Sequence, residues 1–138
     1  MSLFGVRRGE RGSMAVEIVI LAPVMLAFLM LIVECGRFVS VRGDLEATTR
    51  DAARAASLER DTNSALGAAR SVVAASLDKG TTDCRPATLS GNFVAGGYVQ
   101  VNLSCRVPLD GLGLLDLGAS APIEVHSAAP IDTYRRTG

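Results

Sequence analysis

The 138-residue sequence contains no tryptophan, few other aromatic residues, a single lysine and a single histidine. Aromatic residues make up only 4% of the chain, so any water-soluble core must consist of valine, leucine, isoleucine and alanine. Such a core is light, and this length supports one small domain. The formal net charge is zero, so there is no basic surplus to neutralise phosphates, which argues against nucleic-acid binding.

The motifs of common enzyme classes are also absent. The single histidine, His126, falls on the polar face of a predicted strand, and a metal site requires more ligands. Neither a G-x-S-x-G motif nor a P-loop is present. Gly111-Leu-Gly113 is followed by Leu115 and Asp116, where a dinucleotide-binding loop has its third glycine. We therefore expect a protein that is not an enzyme and that uses neither a cofactor nor a metal.

The apolar residues are concentrated near the N-terminus. Residues 13–33 contain one charged side chain, Glu17. As a helix this run is about 30 Å long, which is the thickness of the hydrocarbon core of a bilayer. Three arginines precede it within residues 1–12, and basic residues keep their side of a membrane helix in the cytoplasm. The pattern predicts a cytoplasmic leader, a single membrane-spanning helix and an extracytoplasmic remainder.

Residues 34–79 are predicted to form an extracytoplasmic helical region. Small and apolar residues recur at steps of three and four from Leu45 to Ala56, while charged residues occupy the other faces. A cluster of capping residues at 61–64 predicts the start of a second helix that ends near Leu77. The predicted buried stripe of that helix comprises Leu66, Ala69, Val73 and Leu77.

Residues 80–138 are predicted to form a small antiparallel β domain. Residues 98–107 alternate without exception. The apolar face of this strand comprises Val99, Val101, Leu103, Cys105 and Val107. Residues 121–127 alternate more weakly, with Ile123 and Val125 pointing inward. The fold class is therefore α+β: a long N-terminal helix that continues into a second helix, followed by a small sheet.

The spacing of Cys84 and Cys105 fits a β-hairpin. If the two face each other across antiparallel strands, the same register places Gly91 opposite Tyr98, and residues 92–97 form the loop. A disulfide that closes this segment would contribute on the order of 3 kcal/mol in an oxidising compartment. Two unpaired buried thiols are the alternative; for an exported chain we expect the disulfide.

A third cysteine, Cys35, follows the apolar run. Lipidation is disfavoured because Glu34 stands where a lipobox has a small residue. An unmodified thiol at the membrane interface is the favoured interpretation, and an intermolecular contact remains open.

Residues 12–17 (GSMAVE) combine a small residue, the start of an apolar helix and a carboxylate inside that helix. A carboxylate at the bilayer centre costs about 3 kcal/mol on insertion scales and less near the interface, so it requires a partner. A signal anchor with a tolerated interfacial acid is one interpretation. A prepilin is the other, because cleavage after Gly12 frees an α-amine on Ser13, one helical turn from Glu17.

The sequence resembles the TadE-like family of pseudopilins, which are minor components of the tight-adherence (Flp-type, type IVc) pilus system. The resemblance covers about residues 9–57. Its features are Val16-Glu17, Pro23, Glu34-Cys-Gly-Arg37, Leu45 and the segment RDAARAA at 50–56. Ile18 stands where the Flp major pilin has tyrosine, and the chain is far longer than that pilin, which indicates a minor pseudopilin.

The resemblance implies that a prepilin peptidase cuts between Gly12 and Ser13, and that the new amine pairs with Glu17 of a neighbouring subunit. It also implies contacts with other pilins and with the pilus assembly machinery, in or on a bacterial cell membrane. Two alternatives remain: an uncleaved, membrane-anchored binding module, and a secreted domain released by signal peptidase. The secreted form is disfavoured because no small-x-small cleavage site follows the apolar run.

Overall fold

The computed structural model describes residues 10–77, 82–109 and 119–134. Within these ranges the elements are α1 (Glu10–Ser57), α2 (Thr62–Leu77), β1 (Asp83–Cys84), β2 (Thr88–Asn92), β3 (Tyr98–Pro108) and β4 (Ser120–Pro130). The strands form one antiparallel sheet, which confirms the predicted α+β class. Predictions for residues 1–9, 78–81, 110–118 and 135–138 concern residues outside the described ranges.

Helix α1 changes character along its length. Its side chains are exposed from residue 15 to residue 33, whereas one face is buried from Leu45 onward. That buried face comprises Leu45, Thr48, Thr49, Ala52, Ala53, Ala56 and Ser57. The Thr49 hydroxyl donates a 2.7 Å hydrogen bond to the Leu45 carbonyl, so this buried polar group is satisfied inside the helix. The second half of α1 therefore packs as a one-sided helix, as the three- and four-residue spacing predicts.

Helix α2 begins where the capping cluster predicts. The Asp61 carboxylate accepts hydrogen bonds from the Ser64 backbone N–H at 2.9 Å and from the Ser64 hydroxyl at 2.5 Å. These bonds satisfy an N–H group that the first turn of a helix leaves without a partner. The hydrogen bond from the Ser64 hydroxyl, followed by that from its N–H, lowers the pKa of Asp61 below its ordinary value.

The buried stripe of α2 differs from the prediction. Ala65, Ala69 and Val73 are buried, whereas Leu66 and Leu77 are only half-buried. Helix α2 packs against α1, whose buried positions are also largely alanine. Small side chains on both helices allow a close approach, which fits the burial of Ala65 in place of the larger leucine next to it.

Strand β3 is the centre of the sheet. It pairs with β4 along one edge and with β1 and β2 in succession along the other. Its predicted apolar face is buried at all five positions, and Ile123 and Val125 of β4 are buried beside it. Helix α1 packs against both β3 and β4, so the core lies between this face and α1, and α2 extends it by packing against α1.

The predicted disulfide joins Cys84 and Cys105, which pair across β1 and β3. The predicted hairpin register is wrong by one residue further along, because Gly91 pairs with Val99 and not with Tyr98. The difference arises at residues 85–87, which separate β1 from β2 and include a proline that has no N–H to donate. One extra residue is accommodated there, much as in a β-bulge.

Replacing both Cys84 and Cys105 with alanine should lower the free energy of unfolding by about 3 kcal/mol, because the bond closes a long loop around a light core. Urea unfolding of the full chain in detergent, followed by circular dichroism, measures this change. Cys35→Ala is the matched control, since Cys35 is free and exposed. Equal stability of the double variant and the Cys35→Ala control would contradict the bracing role.

Candidate functional site

The candidate site is the N-terminal part of α1. Every large apolar side chain from Val16 to Val33 is between 49% and 72% exposed. A soluble domain rarely leaves such a continuous apolar surface in water, and a helix that is apolar on all sides is suited to a membrane or to contact with other helices. By length and composition, α1 is able to cross a membrane.

The three predicted site residues of this helix lie within its first two to three turns. Gly12 and Ser13 are part of the helical backbone of α1, which begins at Glu10, and Glu17 follows one turn after Ser13. Positions four apart lie on the same face of a helix. Glu17 is exposed, and no described residue forms an ion pair with it. A membrane around this helix would therefore surround a carboxylate that the described part of the chain does not neutralise.

Charged side chains return where the apolar run ends. The Glu46 carboxylate forms an ion pair with Arg42 at 3.2 Å and a longer one with Arg50 at 3.8 Å. All three residues lie four apart on one row of the helix, and both arginine side chains are more than half exposed. Exposed pairs of this kind add little stability, so the row is better understood as a charged surface.

Sequence reasoning placed these charges away from the core but did not recognise the row as a unit. The signal was available, because Arg42, Glu46 and Arg50 follow each other at i, i+4 spacing. What the sequence could not show is that β4 lies alongside: a groove of the structure is lined by this row together with Glu124, Val125 and His126.

The outer face of the sheet is polar. Gln100 donates a 2.9 Å hydrogen bond to the Asn102 side-chain oxygen, and Asn102 in turn donates to the Ser90 hydroxyl at 2.9 Å. His126 is exposed on this face, where the strand alternation places it. Across the described ranges, no group of three or more His, Cys, Asp or Glu side chains is arranged to hold a metal.

These features define a class of protein: a small, disulfide-braced α+β domain that continues from a membrane-capable N-terminal helix. Residues 12–54 match the family model described as TadE-like protein, which confirms the resemblance over that segment. The match begins at Gly12 and ends within α1, so it includes neither α2 nor the sheet. No curated protein and no solved structure matches the chain.

Proposed function

We propose that this protein is a TadE-like minor pseudopilin that contributes to the assembly of a tight-adherence pilus, at its initiation, its capping or its adhesion. The observation that carries the proposal is the exposed apolar half of α1 with a single carboxylate, Glu17, inside the segment that matches the family. Pilus components must move from a bilayer into a bundle of helices, and this surface suits both environments.

The proposed processing step is hydrolysis of the peptide bond between Gly12 and Ser13 by a prepilin peptidase. The new α-amine has an ordinary pKa of about 8 and is largely protonated near neutral pH. Helical spacing puts residues 13 and 17 on one face, so the amine and the Glu17 carboxylate occur at similar depths of the helix. In an apolar environment each charge is costly alone, and an amine of one subunit paired with Glu17 of a neighbour neutralises both.

The proposed topology is a single membrane pass with the N-terminus in the cytoplasm, because three arginines precede the span. The sheet domain then lies outside the cytoplasm, where its disulfide is chemically stable. We propose that it takes part in contacts with other pilins and with the assembly machinery, and that the protein has a structural and not a catalytic role.

An uncleaved membrane-anchored binding module is the second candidate. The same exposed helix supports it, since an anchor also requires an apolar surface of this length. Whether the chain is cleaved after Gly12 distinguishes the two candidate functions, because only the pseudopilin requires a new amine that can pair with Glu17.

Substituting Gly12 with alanine should inhibit cleavage, because the peptidase is expected to require a residue without a side chain at the scissile bond. The accumulated protein should then be heavier than the mature form by the mass of residues 1–12. Mass spectrometry of the membrane fraction measures this difference. Gly9→Ala is the matched control and should be processed normally; a mature mass for Gly12→Ala would contradict the proposed cut.

Glu17→Gln removes the charge but keeps the shape of the side chain. We expect normal cleavage and about a tenfold or larger fall in the protein recovered in sheared pili, since an unpaired amine in an apolar bundle is strongly unfavourable. Immunoblotting of the sheared fraction, together with the mass of the membrane-bound protein, separates assembly from processing. Undiminished recovery in pili would remove the charge-pairing role.

A further inference from the structure

Strand β4 has one open edge. It pairs with β3 from Ser120 to Pro130, and no described strand pairs with its other side. An open edge presents backbone N–H and C=O groups that can pair with another extended segment. The partner that this edge can take depends on which backbone N–H and C=O groups of β4 are exposed and on the side chains that lie beside them.

The hydrogen bonds at the margins of the sheet identify the residues that face this edge. The Ile131 N–H donates to the Gly97 carbonyl at 2.9 Å, so odd-numbered residues connect β4 to β3. The Arg85 N–H donates to the Ser104 carbonyl at 2.9 Å, so even-numbered residues of β3 face away from β4. Opposed residues of an antiparallel pair either both face each other or both face away. Even-numbered residues of β4 therefore direct their N–H and C=O groups to the open edge.

Two prolines limit the open edge. Pro122 and Pro130 are both even-numbered, so they remove N–H groups from the edge and none from the ladder with β3. Between them, Glu124, His126 and Ala128 retain outward-facing N–H donors and carbonyl acceptors. The edge is thus closed to pairing at its ends and open over a short central window.

Helix α1 forms one wall of a groove at this window. Arg42, Glu46 and Arg50 line it from the helix, and Glu124 and His126 line it from the strand. The two arginines share the single carboxylate of Glu46, so the helical wall carries net positive charge. Glu124 also lines the groove, but it is exposed while its neighbour Val125 is buried in the core, so strand alternation directs the Glu124 carboxylate to the outer face of the sheet and away from this wall. A segment added beside β4 would have alternate side chains directed to this wall, where acidic groups are favoured.

A second copy of the chain does not fit the edge. Helix α1 runs alongside β4, since its residues 42–50 lie near 124–126 and Ser57 lies near Pro130. Copies anchored in one membrane, as proposed above, have parallel α1 helices and so cannot pair their β4 strands antiparallel. Two β4 strands related by a two-fold axis could pair only in parallel, with each residue opposite its own copy. In a parallel ladder, however, a residue whose N–H and C=O groups point to the partner strand lies opposite a residue whose groups point away. Identical residues cannot meet this requirement, so the symmetric parallel pairing is also excluded. Only this step depends on the proposed anchoring.

We propose that the groove between β4 and α1 binds an extended, acidic segment of a partner protein, which joins the sheet as an additional strand beside Glu124, His126 and Ala128. Backbone hydrogen bonds provide the attachment and the arginine row provides the selectivity. The outer edge of strand β2 in a second copy also has no partner among the described strands, but residues 88–92 contain no acidic side chain to complement that row.

The first test uses a short synthetic peptide of alternating threonine and aspartate, a matched peptide with lysine for aspartate, and the full chain in detergent. Amide exchange measured by NMR should show that the N–H groups of Glu124, His126 and Ala128 exchange fast in the free protein and become protected when the aspartate peptide is added. The lysine peptide should bind more weakly. Equal binding of the two peptides, or unchanged exchange at these amides, would overturn the proposal.

The second test compares His126→Pro with His126→Thr. Both remove the imidazole, but only proline removes the edge donor, and neither removes a hydrogen bond to β3, so both should unfold at the temperature of the parent. We expect His126→Pro to bind the aspartate peptide about tenfold more weakly than the parent, which is the effect of about one lost hydrogen bond. His126→Thr should bind the peptide nearly as well as the parent. Ala128→Pro provides the same comparison if the first variant unfolds.

Arg50→Glu isolates the charge of the wall, because Arg50 is exposed and lies outside the core. This substitution should weaken binding of the aspartate peptide and strengthen binding of the lysine peptide. If the two His126 variants bind the peptide equally, or if His126→Pro instead abolishes self-association of the chain, the acidic-partner assignment is wrong. Neither result bears on cleavage at Gly12, so the proposed pseudopilin function would stand or fall separately.

Discussion

One continuous helix carries two different kinds of surface, and the rest of the structure depends on this constraint. Residues 15–33 of α1 are apolar on every side apart from Glu17 and leave their side chains exposed, a surface that suits lipid or contact with other helices. From Leu45 onward the helix is apolar on one side only, and the residues of that side form part of the hydrophobic core. Because the helix is continuous from Glu10 to Ser57, the same element that carries the apolar run also packs against the sheet.

The single charged residue within the apolar run of residues 13–33 is Glu17. A sequence that is otherwise consistent with its environment usually departs from it where function requires the departure. Here the departure is a carboxylate without a counter-charge in the described chain, one turn after the residue that cleavage would expose. The proposed charge pairing across subunits therefore brings together two observations, the family match over residues 12–54 and the exposed apolar surface.

The domain that follows the apolar run compensates for a core with few large side chains. Its helix pair is joined through alanines, its central strand contributes five buried residues, and a disulfide connects that strand to the edge of the sheet. The polar outer face and the open edge of β4 remain for contacts. In a small domain of this kind, the disulfide provides stability that a larger domain would gain by burying more apolar surface.

The sequence predicted the elements that depend on local periodicity. The strict alternation of β3 identified its buried face from Val99 to Val107, and the capping cluster located the start of α2 at Thr62. Two errors have a common cause, which is that packing partners are not visible in a single element. Periodicity alone favoured Leu66 in the α2 stripe, but the buried residue is its smaller neighbour Ala65. The strand register was likewise shifted by an interruption between β1 and β2.

The arrangement beside β4 was beyond prediction for the same reason. The i, i+4 charges of α1 and the even-numbered prolines of β4 are both visible in the sequence, but only the topology shows that they border one groove. Local patterns therefore indicated what each element is, whereas the contacts between elements determined which surfaces remain available.

The most direct test of the central claim is the identity of the first residue in the protein isolated from the cells that produce it. N-terminal sequencing of the membrane and pilus fractions provides this identity without any substitution. The account predicts Ser13, with its free amine one turn before the carboxylate of Glu17. A chain that begins at Met1, or one that begins beyond residue 33, would contradict it.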